Sequence, residues 1–251
     1  AAVLCAALTV PAKAARRSVP VQIDGNPIAV SAYVERGVTY VPLRALLNTI
    51  GAWDVWWDEA TGRAAAASND THLWADPAAD TVTIDEKTVR GRVTVENGVT
   101  YVPLRLVGEA LGCQVEWDPY LRGATVTSPG AAYDAGELYW LSRIIYAESG
   151  AESMTGQIAV GNVILNRVRS GSFPNTVEGV IFDRKDAVQF EPVSNGRVYL
   201  PPTSQSVEAA KRALDGENVV GSALYFYAPA LSQGTWINAN RPYQQTLGCH
   251  R

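Results

Sequence analysis

Two stretches of this 251-residue chain repeat one pattern, identical over their first eight residues: "GVTYVPLRALLNTIGAWDVWWD" begins at Gly37 and "GVTYVPLRLVGEALGCQVEWD" begins at Gly98. A duplication of this kind restricts the fold, because both copies must satisfy the same local chemistry. Each predicts a β-strand (residues 38–41 and 99–102) and a proline at a helix start. A short amphipathic helix follows and stops at Gly51 or Gly112. Proline suits a first helical turn because its missing N–H would be unpaired there. A second strand then carries a Trp-Asp pair, Trp57-Asp58 or Trp117-Asp118. With the intervening strands "DTVTI" and "GRVTVENG", two β-α-β repeats make one small α+β module over residues 16–128.

This module resembles the copper amine oxidase N-terminal-like domain, on the strength of the twice-occurring VPLR-helix-glycine-Trp-Asp pattern. The resemblance implies an accessory or stalk module, and no histidine set for copper is present. Trp53, Trp56, Trp57, Trp74 and Trp117 either fill its core or stack on sugar rings and attach the protein to the wall.

Composition narrows the classes. A net charge of −4 with no clustered basic stripe argues against nucleic acid as a partner. Residues 1–15, "AAVLCAALTVPAKAA", read as the remnant of a secretory signal peptide: an apolar run leads to an Ala12-Lys13-Ala14 cleavage pattern. The run is too short for a transmembrane segment, and no later stretch qualifies. The expected location is therefore secreted, in the cell wall or spore envelope. With Cys5, Cys113, Cys249, His72 and His250 the chain has neither a disulfide framework nor a zinc-ligand spacing, so no metal and no cofactor are expected. Two histidines and no G-x-S-x-G turn leave little for a serine or cysteine triad.

Past a Pro/Gly/Ala-rich linker, residues 129–136, helical periodicity takes over. On a helix at about 100° per residue, Leu138, Leu141, Ile144, Ile145 and Glu148 share one third of the circumference. Glu148 thus falls on the apolar stripe, two residues before Gly150. Desolvation and the negative end of the helix dipole both penalise its charged form and raise its pKa, as a general acid requires. The alternative is a glutamate at a fraying helix end, facing solvent. A second helix is predicted over residues 153–169, where Gln157, Asn162 and Asn166 interrupt the apolar face, and a third over 204–214. "ALYFYAP", residues 223–229, predicts a strand.

Residues 137–251 resemble the cell wall hydrolase SleB family, the spore cortex-lytic enzymes, through "YAESGAE", "GQIAVGNVILNRV", "SFPNTVEGVIF", Arg241-Pro242 and Gly248-Cys249-His250. The resemblance implies a mainly helical lysozyme-like domain that cleaves peptidoglycan glycan strands, possessing a catalytic glutamate at Glu148. Glu152 matches a recurrent family position, and Gln189, Phe190, Tyr225, Tyr227 and Trp236 are candidate substrate-binding residues or core. Two departures are Ala228, where the family commonly has asparagine, and Gly150-Ala151 in place of Arg-Gly. The role of His250 stays open.

Overall the expected fold class is α+β, and the expected activity is that of a lytic transglycosylase. Glu148 protonates the oxygen between N-acetylmuramic acid and N-acetylglucosamine, and the sugar's C6 hydroxyl closes onto C1. The alternatives are a hydrolytic muramidase with a second carboxylate (Glu152, Asp183, Asp186 or Glu191) and an inactive wall-binding protein.

Overall fold

The computed structural model of the protein describes residues 15–69, 71–185, 188–227, 239–240 and 246. The described chain runs β1 (Arg17–Ser18), β2 (Val21–Ile23), β3 (Asn26–Pro27), β4 (Tyr33–Glu35), β5 (Val38–Pro42), α1 (Leu43–Ile50), β6 (Asp54–Asp58), β7 (Arg63–Ser68) and β8 (Thr71–Asp76). It continues through β9 (Thr81–Ile84), β10 (Lys87–Arg90), β11 (Thr94–Glu96), β12 (Val99–Pro103), α2 (Leu104–Ala110), β13 (Gln114–Asp118) and β14 (Gly123–Thr127). Helices α3 (Ala135–Ser149), α4 (Met154–Arg169), α5 (Val177–Ile181) and α6 (Glu191–Asn195) follow, then a 3-10 turn (Arg197–Tyr199) and α7 (Ser204–Leu214). The fold class is α+β, strand-rich first and helical afterwards. Among the described residues no helix is long and apolar enough to cross a membrane.

Contacts divide the chain into two compact units, residues 1–21 with 28–112 and residues 22–27 with 113–251. In the first unit the duplicated strands find each other: β5 and β12 pair antiparallel with Val41 opposite Val102, in the sheet β1-β4-β5-β12-β11. Pro42 and Pro103 end these strands as the residues before α1 and α2, a position that costs no helical hydrogen bond. Gly112 follows α2 at φ +84, the left-handed conformation that glycine takes without strain. Gly51 is extended instead (φ 178), so the matching glycines end their helices differently. A second sheet of this unit runs β10-β9-β8-β7-β6. Its tryptophans are not core: Trp56 is 46% and Trp57 38% exposed, and Trp53 and Trp74 are half-buried.

The second unit holds the sheet β13-β14-β2-β3 and all the later helices. Its core is built on α3, which is buried round most of its circumference rather than on one stripe, with Trp140, Leu141, Ile144 and Ile145 fully enclosed. A helix of that kind is central, not superficial. It packs on α4, α7 and α5, and Gly161 of α4 makes this possible. A Cβ there would lie 3.0 Å from Ile145 Cδ1 and 3.2 Å from the Ala213 Cβ. The β13–β14 hairpin closes the other side. The Trp140 indole N–H donates to Asp118, and Tyr120 stacks on Phe182 at 4.0 Å. The stretch expected to be a linker is tied in as well: Tyr133 Oη donates to Asp215 (2.9 Å), and Asp134 caps α3 by accepting from Glu137 N–H (2.9 Å).

The strand predicted at residues 223–229 is not formed by the described part, residues 223–227. Side chains of α4 occupy the backbone groups that a neighbouring strand would use. Asn162 donates to Glu217 O (2.7 Å) and accepts from Val219 N–H (2.8 Å), and Asn166 donates to Gly221 O (2.8 Å) and Ala223 O (3.0 Å). Arg167 Nε donates to Leu224 O (2.7 Å). Two of the polar residues expected to interrupt the apolar face of α4, Asn162 and Asn166, thus join Arg167 in holding an irregular segment along the helix.

Candidate active site

Glu148 lies in the last turn of α3, half-buried where its neighbours Ala147 and Ser149 are buried. The C-terminal carbonyls of a helix leave partial negative charge at this position. Burial is the largest influence on the Glu148 carboxyl and the approach of Glu191 the second; Arg197 opposes both. Together they push its pKa up from the ordinary 4.5 to about 7. Near neutral pH a large share of Glu148 therefore carries its proton. The exit from α3 is tight: Gly150 N–H donates to Tyr146 O (2.9 Å), and a Cβ on Gly150 would lie 2.6 Å from that oxygen. Gly150 is right-handed (φ −60), so the glycine serves close approach and not backbone handedness.

Glu191 and Arg197 are set by one short element. Phe190 is buried (3% exposed) and anchors the start of α6, leaving Glu191 exposed at its first position with Pro192 next. Gly196 at φ +80 turns the chain, and Arg197 opens the 3-10 turn. Charges six residues apart thereby act together on Glu148, one raising and one lowering its proton affinity.

The other expected site residues fall in separate places. Glu152 lies between α3 and α4, its side chain against Gly156, while its carbonyl accepts from Gln157 Nε2 (3.1 Å) and Gln205 Nε2 (3.0 Å). Gln189 accepts from Arg167 Nη1 (3.5 Å), and Tyr225 is a half-buried neighbour of Phe173, ring centroids 6.3 Å apart. Tyr227 is half-buried too, and Asp183 accepts from Lys185 N–H (2.9 Å) within its own loop. Trp236, Asp186, Ala228, Pro229, Arg241, Pro242, Gly248, Cys249, His250, Cys5 and the expected signal remnant up to residue 14 lie outside the described residues.

Two residues escaped the sequence reading. Arg197 carries no local signal beyond following a glycine. Arg167 does: like Glu148, it is a charge inside a buried helix. It is 5% exposed, and its guanidinium lies 4.9 Å from the Phe173 ring, 5.3 Å from Phe190 and 5.2 Å from Tyr225. Burial lowers its pKa, and contacts with aromatic faces and carbonyls compensate for lost water. Arg167 therefore joins the chain entering α6 to the segment carrying Tyr225.

A carboxyl whose proton affinity is raised at the end of a buried helix has the chemistry a general acid needs. Residues 151–251 match the Cell Wall Hydrolase family, and residues 22–126 match the Copper amine oxidase N-terminal domain. Glu148 lies three residues before the span that matches the cell wall hydrolases. It is 37% identical over 132 residues to a spore cortex-lytic enzyme of Bacillus cereus, covering 53% of this chain and 48% of that protein. A spore cortex-lytic enzyme of Oceanobacillus iheyensis is 36% identical over 118 residues, 47% of this chain and 41% of its own. The chain thus spans about half the length of the curated relatives it matches. Among solved structures, the catalytic domain of the germination-specific lytic transglycosylase SleB from Bacillus anthracis is 38% identical. That match covers 49% of this chain and 96% of the other, with a TM-score of 0.44.

Proposed function

We propose that this protein is a peptidoglycan-cleaving lytic transglycosylase, acting outside the cytoplasm on cell wall or spore cortex. The observation that carries the reading is the half-buried Glu148 carboxyl, protonated near neutral pH at the end of the central helix. Glu148 delivers its proton to the glycosidic oxygen between N-acetylmuramic acid and N-acetylglucosamine as the C1–O bond breaks, the electron pair leaving with that oxygen. The muramic C6 hydroxyl then bonds to C1, and its proton returns to the Glu148 carboxylate. The product is a 1,6-anhydro end, and the enzyme regains its starting protonation without consuming water. Relatives named for cortex lysis support the choice of peptidoglycan. Glu152, Gln189, Phe190, Tyr225, Tyr227 and Trp236 remain the proposed substrate-binding set, Phe190 from beneath the surface. The repeat module is proposed to help hold the protein to the wall.

Glu191 favours a second reading. It is an exposed carboxylate that acts on Glu148 electrostatically, the arrangement in which a hydrolase activates water. Mass spectrometry of the ends released from purified peptidoglycan, with Glu148→Gln beside the wild type, separates the two. Anhydro-muramic ends that vanish in the variant are expected. Ordinary reducing ends would mean that water attacks and make the protein a hydrolytic muramidase, and their loss in Glu191→Gln would assign Glu191 to that water.

A further inference from the structure

The outer face of the β10-β9-β8-β7-β6 sheet has a composition unlike an ordinary solvated surface. Register places Trp56, Ala65, Trp74, Thr83 and Thr88 in one row across its five strands. Alternation sends the next residues, among them Leu73, Ala75 and Val82, to the opposite face, where all three are fully buried. The row therefore belongs to the face that meets solvent. Trp56 is 46% exposed on it and Trp74 half-buried, and Ala65 between them is 1% exposed. A residue no larger than alanine at that middle position leaves room for indoles on both sides. His72, two residues along β8, stacks its ring on Trp74 (5.8 Å, 13°). The Thr83 and Thr88 hydroxyls, 3.0 Å apart, continue the row.

We propose that this row is a carbohydrate-binding platform whose ligand is a glycan strand. Tryptophans two strands apart stand roughly 10 Å from each other, about the length of a disaccharide, so alternate sugars of one strand meet successive indoles. Aromatic faces take the C–H face of a pyranose, and threonine hydroxyls serve its polar rim. Charge complementarity narrows the occupant. The row itself bears no ionic side chain, and the nearby Arg63 is engaged by Asp76 at 2.7 Å. A nucleic acid or acidic peptide would find the Arg63 guanidinium already engaged by a carboxylate and would meet a chain of net charge −4. A neutral sugar ring meets no such mismatch. The preference for wall glycan among polysaccharides rests on the function proposed above; the platform itself does not.

The test uses the full chain carrying Glu148→Gln, so that substrate is not consumed, pelleted with purified insoluble peptidoglycan. Trp56→Ala with Trp74→Ala is expected to weaken retention about tenfold or more. Trp56→Ala alone, at an exposed position, should give a smaller loss, and Trp56→Tyr should retain most binding. Trp117→Ala, 43% exposed on β13, serves as the control and should bind as before. With Glu148 restored, the platform variants should cleave short soluble glycans at the wild-type rate. Unchanged retention in Trp56→Ala, or an equal loss in Trp117→Ala, would overturn the platform. So would a change of oligomeric state in the tryptophan variants with retention intact, which would make the face a contact between copies. If the wild type cleaves nothing but its retention still depends on Trp56, the platform stands and the catalytic reading fails.

Discussion

At the scale of single residues, Glu148 ties stability to pH and, under the proposed function, to catalysis as well. An unfolded glutamate titrates near 4.5 and the folded Glu148 near 7. Because the folded value is the higher, the native state has its full share of stability from this group below about pH 4.5. That share is lost as pH rises through about 7. Glu148→Gln keeps the shape and removes the charge. Its urea unfolding should match wild type at pH 4 and exceed it at pH 8 by about 1–3 kcal/mol. The same variant should lower cleavage by about a factor of 10³. A variant equally stable at both pH values would mean that Glu148 is solvated. Gly150 is the other demanding position: Gly150→Ala sets a methyl 2.6 Å from Tyr146 O and should cost about 1–3 kcal/mol in the same unfolding measurement.

Elements then decide which charges meet. The short α6 and the 3-10 turn after it bring Glu191 and Arg197 to act on Glu148 with opposite signs. Glu191→Gln should therefore move the alkaline limb of the cleavage profile to lower pH, and Arg197→Ala should move it to higher pH. Shifts of the same sign in both variants would refute the electrostatic assignment. Along α4 the informative feature is the ladder of Asn162, Asn166 and Arg167. Asn162→Ala removes the hydrogen bonds to the Val219 N–H and the Glu217 carbonyl and should cost about 1–3 kcal/mol. Hydrogen exchange should quicken through residues 217–224 before it does in α3.

For the whole molecule, the second copy of the repeat is divided. Its strand β12 and helix α2 belong to the first compact unit, whereas its β13–β14 hairpin belongs to the second. A fragment beginning at residue 129 would leave the Trp140 indole N–H without Asp118 and Phe182 without Tyr120. A fragment beginning at residue 113 keeps both and should unfold at higher urea concentration. Equal midpoints would mean that the hairpin adds nothing to the helical core.

Local chemistry was legible from the chain alone. The duplicated strands and helices follow from proline, glycine and periodicity, as do α3, α4 and α7, because those signals act within a few residues. The position of Glu148 on an apolar helix was legible for the same reason. The pattern alone left a solvent-facing helix end as the alternative, and the structure makes the side chain half-buried. What periodicity could not reveal is how much of α3 is enclosed, because burial depends on how many other elements surround a helix. Nor could it show that Glu191 and Arg197 would face Glu148, that Arg167 would join two loops, or that 223–227 would lie along α4 instead of in a sheet. Those outcomes rest on contacts between residues far apart in sequence, whose energies exist only once the chain has closed on itself. The sequence determined which elements form and which carboxyl is out of place; the tertiary structure alone decided which neighbours raise or lower that carboxyl's proton affinity.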